Sequence, residues 1–251
     1  MTPQITAAPD FAERVARAEL IFLCDPNNPT GGLHDREGRD TLIDLAAAAG
    51  VPVFVDESFL AFTPAWPDSS AGRGLRGNVI VLHSFTKILA LPGLRVGALV
   101  VPPAVAATLG PRVPPWNLNC VAQAAALAGF AEHDVLLETP AAVASARGAL
   151  VEALAALPGV ARVVPADANF VCVRLAEPHS TTVTRELREG HGLLVRDLAD
   201  FPGMGPEYLR FAVRAAGENR QLVLALARVL ARGEDERGAG LGRPGRRVGA
   251  A

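Results

Sequence analysis

Three short apolar runs, each stopping at a polar residue, limit this chain more than any other feature. They are "LIFLC" (Leu20 to Cys24), "VPVFVDE" (Val51 to Glu57) and "NVIVLHSF" (Asn78 to Phe85). A continuous apolar run of this length reads as a strand buried on both faces. After the first comes "DPNNPTGG", a cluster of turn formers, and then "DREGRDTLIDLAAAAG". The latter reads as a helix capped by Asp35, with an apolar stripe through Leu42, Ile43, Leu45 and Ala46 and a stop at Gly50. A fourth run, "VGALVVP", follows the third. Strands alternating with helices predict an α/β fold: a three-layer arrangement around a mainly parallel sheet.

Beyond Pro115 the pattern turns helical, in "NLNCVAQAAALAGFAEHDV" and "TPAAVASARGALVEALAALPG". Short strands then appear in "ARVVP", "ANFVCVRL", "LLVRD" and "YLRFAVR", with helices around Thr181 to Glu189 and Glu218 to Ala231. This predicts a small C-terminal α+β domain. We draw the large domain over 1–130 and the small one over 131–232, and read 233–251, rich in Gly and Arg, as a disordered tail.

Composition narrows the function classes. Of 251 residues, half are hydrophobic and 20% charged, enough for a sizeable core. A net charge of −2 gives no footing for a nucleic-acid or membrane-surface partner. No run reaches the roughly 18 apolar residues of a membrane span, and the N-terminus lacks the apolar stretch of a signal peptide. Cys24, Cys120 and Cys172 are scattered, which excludes a disulfide framework, and the five histidines lack metal-ligand spacing. His83 is assigned to packing. These features predict a cytoplasmic protein without a metal site.

Ligands of open parallel sheets sit at the carboxyl ends of the strands. The polar residues expected there are Asn28, Asp56, the group Ser84, Thr86 and Lys87, and Arg95 leading into the fourth run. Each alone has an ordinary reading: a turn asparagine, a capping aspartate, a snorkelling lysine, a paired arginine. Together, "PNNPTG", "VDESF" and "SFTKILALPGLRVG" resemble the fold-type I pyridoxal-phosphate enzymes of the class I/II aminotransferase superfamily. The resemblance implies pyridoxal 5'-phosphate as cofactor and Lys87 as the catalytic lysine that forms its Schiff base, made nucleophilic by a desolvated pocket. It implies that Asp56 pairs with the ring nitrogen, Asn28 donates to the ring oxygen, and Ser84, Thr86 and Arg95 bind the phosphate. Many members carry a tyrosine three residues after the aspartate; here it is Phe59, which cannot donate.

Within that family, "ANF", "LLVRD" and "YLRFAVRAAGENRQLV" resemble the small domain shared by threonine-phosphate decarboxylases and histidinol-phosphate aminotransferases. Arg210 is thereby implied for the substrate carboxylate and Arg196 for a substrate phosphate, with Asn28 also facing substrate; Arg214 is read as a surface charge. "VPPWNLNCVAQAAA", the Phe59 position and "FPGMGPEYLRFAVRAAGENR" favour the decarboxylase, which makes aminopropanol phosphate for cobalamin biosynthesis. The alternatives are an aminotransferase of the histidinol-phosphate type, or a noncatalytic remnant or partner subunit. A homodimer is implied. Only 27 residues precede Asn28 where full members have a long segment. The chain is therefore expected to be N-terminally truncated and impaired alone, with a separately encoded N-terminal portion as one source of the rest.

Overall fold

In the computed structural model, which describes residues 8–74 and 77–240, the chain divides into two units. One comprises Met1–Ser145 and Pro165–Phe170, the other Ala146–Val164 and Val171–Ala251.

The first unit opens with α1 (Phe11–Ala16), β1 (Ile21–Cys24), α2 (Arg36–Ala48) and β2 (Val53–Asp56). It continues through α3 (Ala71–Gly74), β3 (Val79–Ser84), α4 (Phe85–Ile88), β4 (Gly97–Val100), α5 (Pro103–Leu109) and α6 (Cys120–Ala131). A long helix, α7 (His133–Ala155), begins here and ends in the second unit. Asp35 is extended and its carboxylate accepts from Gly38 N at 2.6 Å, capping α2; such a cap contributes about 1 kcal/mol. Just beyond α2, Gly50 turns the chain at φ +69°.

The sheet order is β1-β2-β3-β4. The first three strands are parallel, and β4 runs antiparallel to β3. The sheet is thus mainly parallel, with a reversed last strand that the apolar run could not announce. Val53, Val55, Val79 and Val81 face one way and are at most 1% exposed. They pack with Leu23, Leu42, Ile43 and Ala46, each buried Val, Leu or Ile contributing about 1.5–3 kcal/mol by leaving water. The other face carries Phe22, Phe54, Ile80, Leu82 and Leu99; Phe22 is 72% exposed and Leu99 48%.

A smaller cluster joins α4 to α6, where Phe85 meets Phe130 edge-to-face at 4.8 Å. Gly129 permits this approach, since a Cβ there would lie 2.8 Å from Leu89 Cδ2.

The second unit holds the end of α7, β5 (Val160–Val163), most of β6 (Phe170–Leu175), α8 (Ser180–His191), β7 (Arg196–Asp197), β8 (Tyr208–Ala212) and α9 (Ala216–Gly240). Its sheet runs β5-β6-β8-β7. Val171, Val173, Leu175, Leu209 and Phe211 form the core with Leu150, Leu154, Val183, Leu187 and Leu226. Gly192, in the left-handed region, closes α8 by donating to Arg188 O. The run "LLVRD" pairs only over Arg196–Asp197. α9 continues to Gly240, into the segment that composition assigns to a tail; residues 241–251 lie outside the described residues. No single helix among the described residues is long and apolar enough to cross a membrane.

Candidate active site

Strand register decides which residues meet at the edge of the first sheet. Cys24 pairs with Asp56 and Asp56 with Leu82, so β1, β2 and β3 end level. Neighbouring strands lie about 4.8 Å apart. Ser84 pairs with Gly97. Because β4 runs backward, its beginning, with Arg95 two residues earlier, lies at the same edge. The structure therefore brings the loop of Asn28, Asp56, the Ser84–Lys87 segment and Arg95 to one edge.

The Asn28 loop is held at both ends. On one side Gly31 takes φ +85°, and its carbonyl accepts from Asp167 N (2.7 Å) and Ala168 N (3.0 Å). Asp167 Oδ2 accepts from Leu33 N at 2.9 Å. A Cβ at Gly31 would lie 2.8 Å from Ala166 Cβ, so the turn admits only glycine here. On the other side Asp25 is fully buried. It accepts from His34 N (2.9 Å) and Arg39 Nη1 (3.2 Å), with His34 Nδ1 at 3.2 Å. Burial works against its charge, but the His34 hydrogen bonds and the His34 and Arg39 charges prevail and hold the carboxyl below its ordinary range.

Asp56 is half-buried. Its Oδ1 accepts from Ser58 N at 2.9 Å, and Oδ2 has no hydrogen-bond partner among the described residues, leaving it available to an N–H donor. Beside it, burial pushes the Cys24 thiol up to about 11; a hydrogen bond from the Asn28 backbone opposes this, and the Asp56 and Asp25 charges add to it. The thiol therefore stays protonated at neutral pH. Phe59 meets Phe170 edge-to-face at 4.9 Å.

Ser84 occupies the N-cap of α4, yet its hydroxyl caps no helix amide; Ser84 Oγ lies 2.8 Å from Thr86 Oγ1. The two hydroxyls thus form a pair. Lys87 is exposed, where the resemblance implies a desolvated pocket: it sits on a one-turn helix at the open sheet edge. Arg95 is exposed and takes φ +56°, costly for a residue with a Cβ, while its Nη1 donates to Pro92 O at 2.9 Å.

In the second unit Arg196 and Arg210 are direct cross-strand partners on β7 and β8. Like charges placed opposite each other are destabilising in a sheet. Burial and then the Arg196 charge lower the Arg210 pKa. Arg214 instead pairs with Glu218, Nε at 3.0 Å and Nη2 at 2.8 Å, as a surface charge does. No group of three or more metal-ligating side chains occurs among the described residues.

Sequence reading missed a second layer beneath the edge. Glu57, 1% exposed, accepts from Ser69 Oγ and from Ser70 N (2.7 Å), with His83 Nε2 at 3.7 Å. Its signal was present: a glutamate and a histidine, each next to a residue of the edge, both in strands too apolar to bury a charge without a partner.

The family model for "Aminotransferase class I and II" matches residues 4–229. The chain belongs to that family. It is 31% identical over 213 residues to the threonine-phosphate decarboxylase of Salmonella typhimurium, covering 84% of this chain and 58% of that protein. It is 38% identical over 206 residues to an aromatic amino acid aminotransferase of Nocardia farcinica, covering 77% of this chain and 56% of the relative. The solved histidinol-phosphate aminotransferase of Clostridium acetobutylicum superposes with a TM-score of 0.82 at 26% identity, over 89% of this chain and 67% of that one. The chain thus spans less than three-fifths of the length of these two curated relatives.

Proposed function

We propose that the protein is a pyridoxal 5'-phosphate-dependent enzyme of small phosphorylated amino acids, decarboxylating L-threonine O-3-phosphate to aminopropanol phosphate in cobalamin biosynthesis. One observation carries the cofactor assignment: β1 to β3 end level and β4 runs backward, so an amine, a carboxylate, two hydroxyls and a guanidinium share one sheet edge. This donor set fits the group. Lys87 would hold its aldehyde carbon, Asp56 its ring nitrogen, Asn28 its ring oxygen, and Ser84, Thr86 and Arg95 its phosphate. When bound, pyridoxal phosphate supplies an electron sink for a bond broken at the substrate Cα.

The chain's own residues choose which bond that is. Arg210 fixes the substrate carboxylate and Arg196 its phosphate, two guanidiniums suited to a doubly anionic substrate. Two rigid clamps set the rotation about Cα, and with it whether carbon dioxide or a proton leaves. Lys87 moves the proton at Cα. The reading includes a homodimer in the cytoplasm and a separately encoded N-terminal portion as partner. A second reading, an aminotransferase of the histidinol-phosphate type, is favoured by the close superposition on such an enzyme. The third, a noncatalytic remnant or partner subunit, leaves Lys87, Asp56 and Arg95 without a task.

Addition of pyridoxal phosphate is expected to give a visible band that borohydride fixes to Lys87 and that Lys87→Ala lacks. With L-threonine O-3-phosphate, carbon dioxide and an amino-alcohol phosphate are expected. A keto acid with aminated cofactor would establish the aminotransferase instead. Absence of any band would favour the noncatalytic reading.

A further inference from the structure

Glu57 and His83 follow Asp56 and precede Ser84, and they lie on the side of the sheet away from those two residues. Side chains alternate along a strand. Asp56 and Ser84 belong to the face of Phe54 and Leu82, whereas His83 pairs with Ala98 on the opposite face and is 8% exposed. A buried carboxylate needs partners, and Glu57 has three. Ser69 Oγ and Ser70 N donate hydrogen bonds to it, and His83 Nε2 stands 3.7 Å from Oε2, a polar contact longer than a hydrogen bond. The Trp66 ring lies edge-on to His83 at 5.3 Å. His83 Nδ1 is buried without a hydrogen-bond partner, so the ring's one polar attachment among the described residues is to Glu57.

This contact joins two strand ends at the point where backbone pairing runs out. Glu57 N donates to Leu82 O at 2.9 Å, and past that bond β2 turns into the Ser58–Thr63 loop while β3 turns into α4. We infer that Glu57 and His83 are positioning residues, a polar brace that fixes the separation of Asp56 from the segment bearing Ser84, Thr86 and Lys87. The inference rests on the cofactor reading of those residues, but its geometry does not.

Amide exchange of the full chain, followed on peptides covering residues 54–58, 66–71 and 83–88, tests the brace without cofactor. Glu57→Gln removes the carboxylate of the pair and His83→Gln its imidazole. Each is expected to speed exchange at 54–58 and 83–88 together, by about ten-fold. The double variant should be no faster than either single one, since both break the same contact. His83→Arg, which again sets N–H donors opposite Glu57, should stay within about three-fold of the wild type. Leu42→Ala, a core deletion in the same unit, controls for general loss of stability and should not single out the two ends. If His83→Arg does not fold, the double-variant comparison decides alone.

Faster exchange confined to 66–71 after Glu57→Gln would mean that Glu57 merely holds the Ser69–Ser70 turn, and the inference would be overturned. Additive effects of the two single variants would overturn it equally. With pyridoxal phosphate present, both single variants should bind it about ten-fold more weakly at an unchanged Lys87. Coupled exchange in a wild type that takes up no cofactor would refute the cofactor reading and leave the brace as a feature of the fold. Normal cofactor binding in both variants would refute the positioning role and leave the cofactor reading intact.

Discussion

The two sheets of this chain treat their second faces in opposite ways. In the first unit both faces are apolar, yet only one is fully buried; Phe22 and Leu99 stand largely in solvent on the other. In the second unit one face makes the core, and the face behind it sets arginine pairs, Arg162 opposite Arg174 and Arg196 opposite Arg210, beside the buried Cys172. The difference follows sheet type. Parallel strands read as continuous apolar runs because both faces of such a sheet are normally covered, whereas antiparallel strands alternate and can meet water on one side. The second sheet thus carries arginines around a buried Cys172 on its outer face, while the first displays an apolar surface that favours a cover.

The sharpest way to break this comparison concerns buried charge. Asp25→Ala leaves Arg39 and His34 without their anion inside the first unit and should cost it about 3–5 kcal/mol. Asp197 in the second unit accepts from Ser180, Thr181 and Ala199 near the surface, and its removal should cost about 1–3 kcal/mol. Denaturant unfolding, with limited proteolysis reporting each unit, measures both; equal losses would erase the contrast. The two carboxyls share a pH signature. Each is held below its ordinary value, in both cases despite an opposing effect of burial. Their contribution is therefore complete above the unfolded-state pKa of about 4 and is lost as pH falls through the lower folded value. Thermal midpoints should accordingly be flat near neutrality and fall in acid, and Asp25→Asn should flatten that fall.

An intermediate effect separates the two surfaces by task. Arg210→Leu should raise the substrate concentration for half-saturation by about 10- to 100-fold, the worth of a charge-assisted pair, with cofactor affinity unchanged. Arg95→Leu should do the reverse. Identical responses in the two titrations would mean that the units do not divide cofactor and substrate as proposed. The smallest effect belongs to the exposed apolar face. Phe22→Ser loses the ring contact with Phe54 and should cost about 0.5–1.5 kcal/mol, yet raise the concentration at which the protein aggregates, as light scattering reports. Arg174→Ser, on the polar outer face of the second sheet, should bring no such gain.

Much of this was legible in sequence because it is local. β1, β2 and β3 are buried runs with polar ends, and Asp35 announces α2 by its place before an apolar stripe. The residues of the sheet edge were legible through motif spacing. Three things were not. The direction of β4 depends on the turn from Ala90 to Arg95, where two non-glycine residues take positive φ, and an apolar run looks the same in either direction. The Glu57–His83 contact is spatial: the two residues are 26 apart in sequence and neighbours only because β2 and β3 pair in one register. The exposure of Lys87 depends on how much surface stands over the sheet edge, which no spacing of residues encodes.

The reversed last strand has a further consequence. Since β4 returns along β3, the amine of Lys87 and the guanidinium of Arg95 ride on a single hairpin connection, pinned where Ser84 meets Gly97. Gly97 has no slack, for a methyl group there would collide with the His83 carbonyl oxygen at 2.7 Å. An insertion in that connection would shift both ends of the grip at once, so changes of substrate preference in such a scaffold have freer scope on the second sheet than in this hairpin.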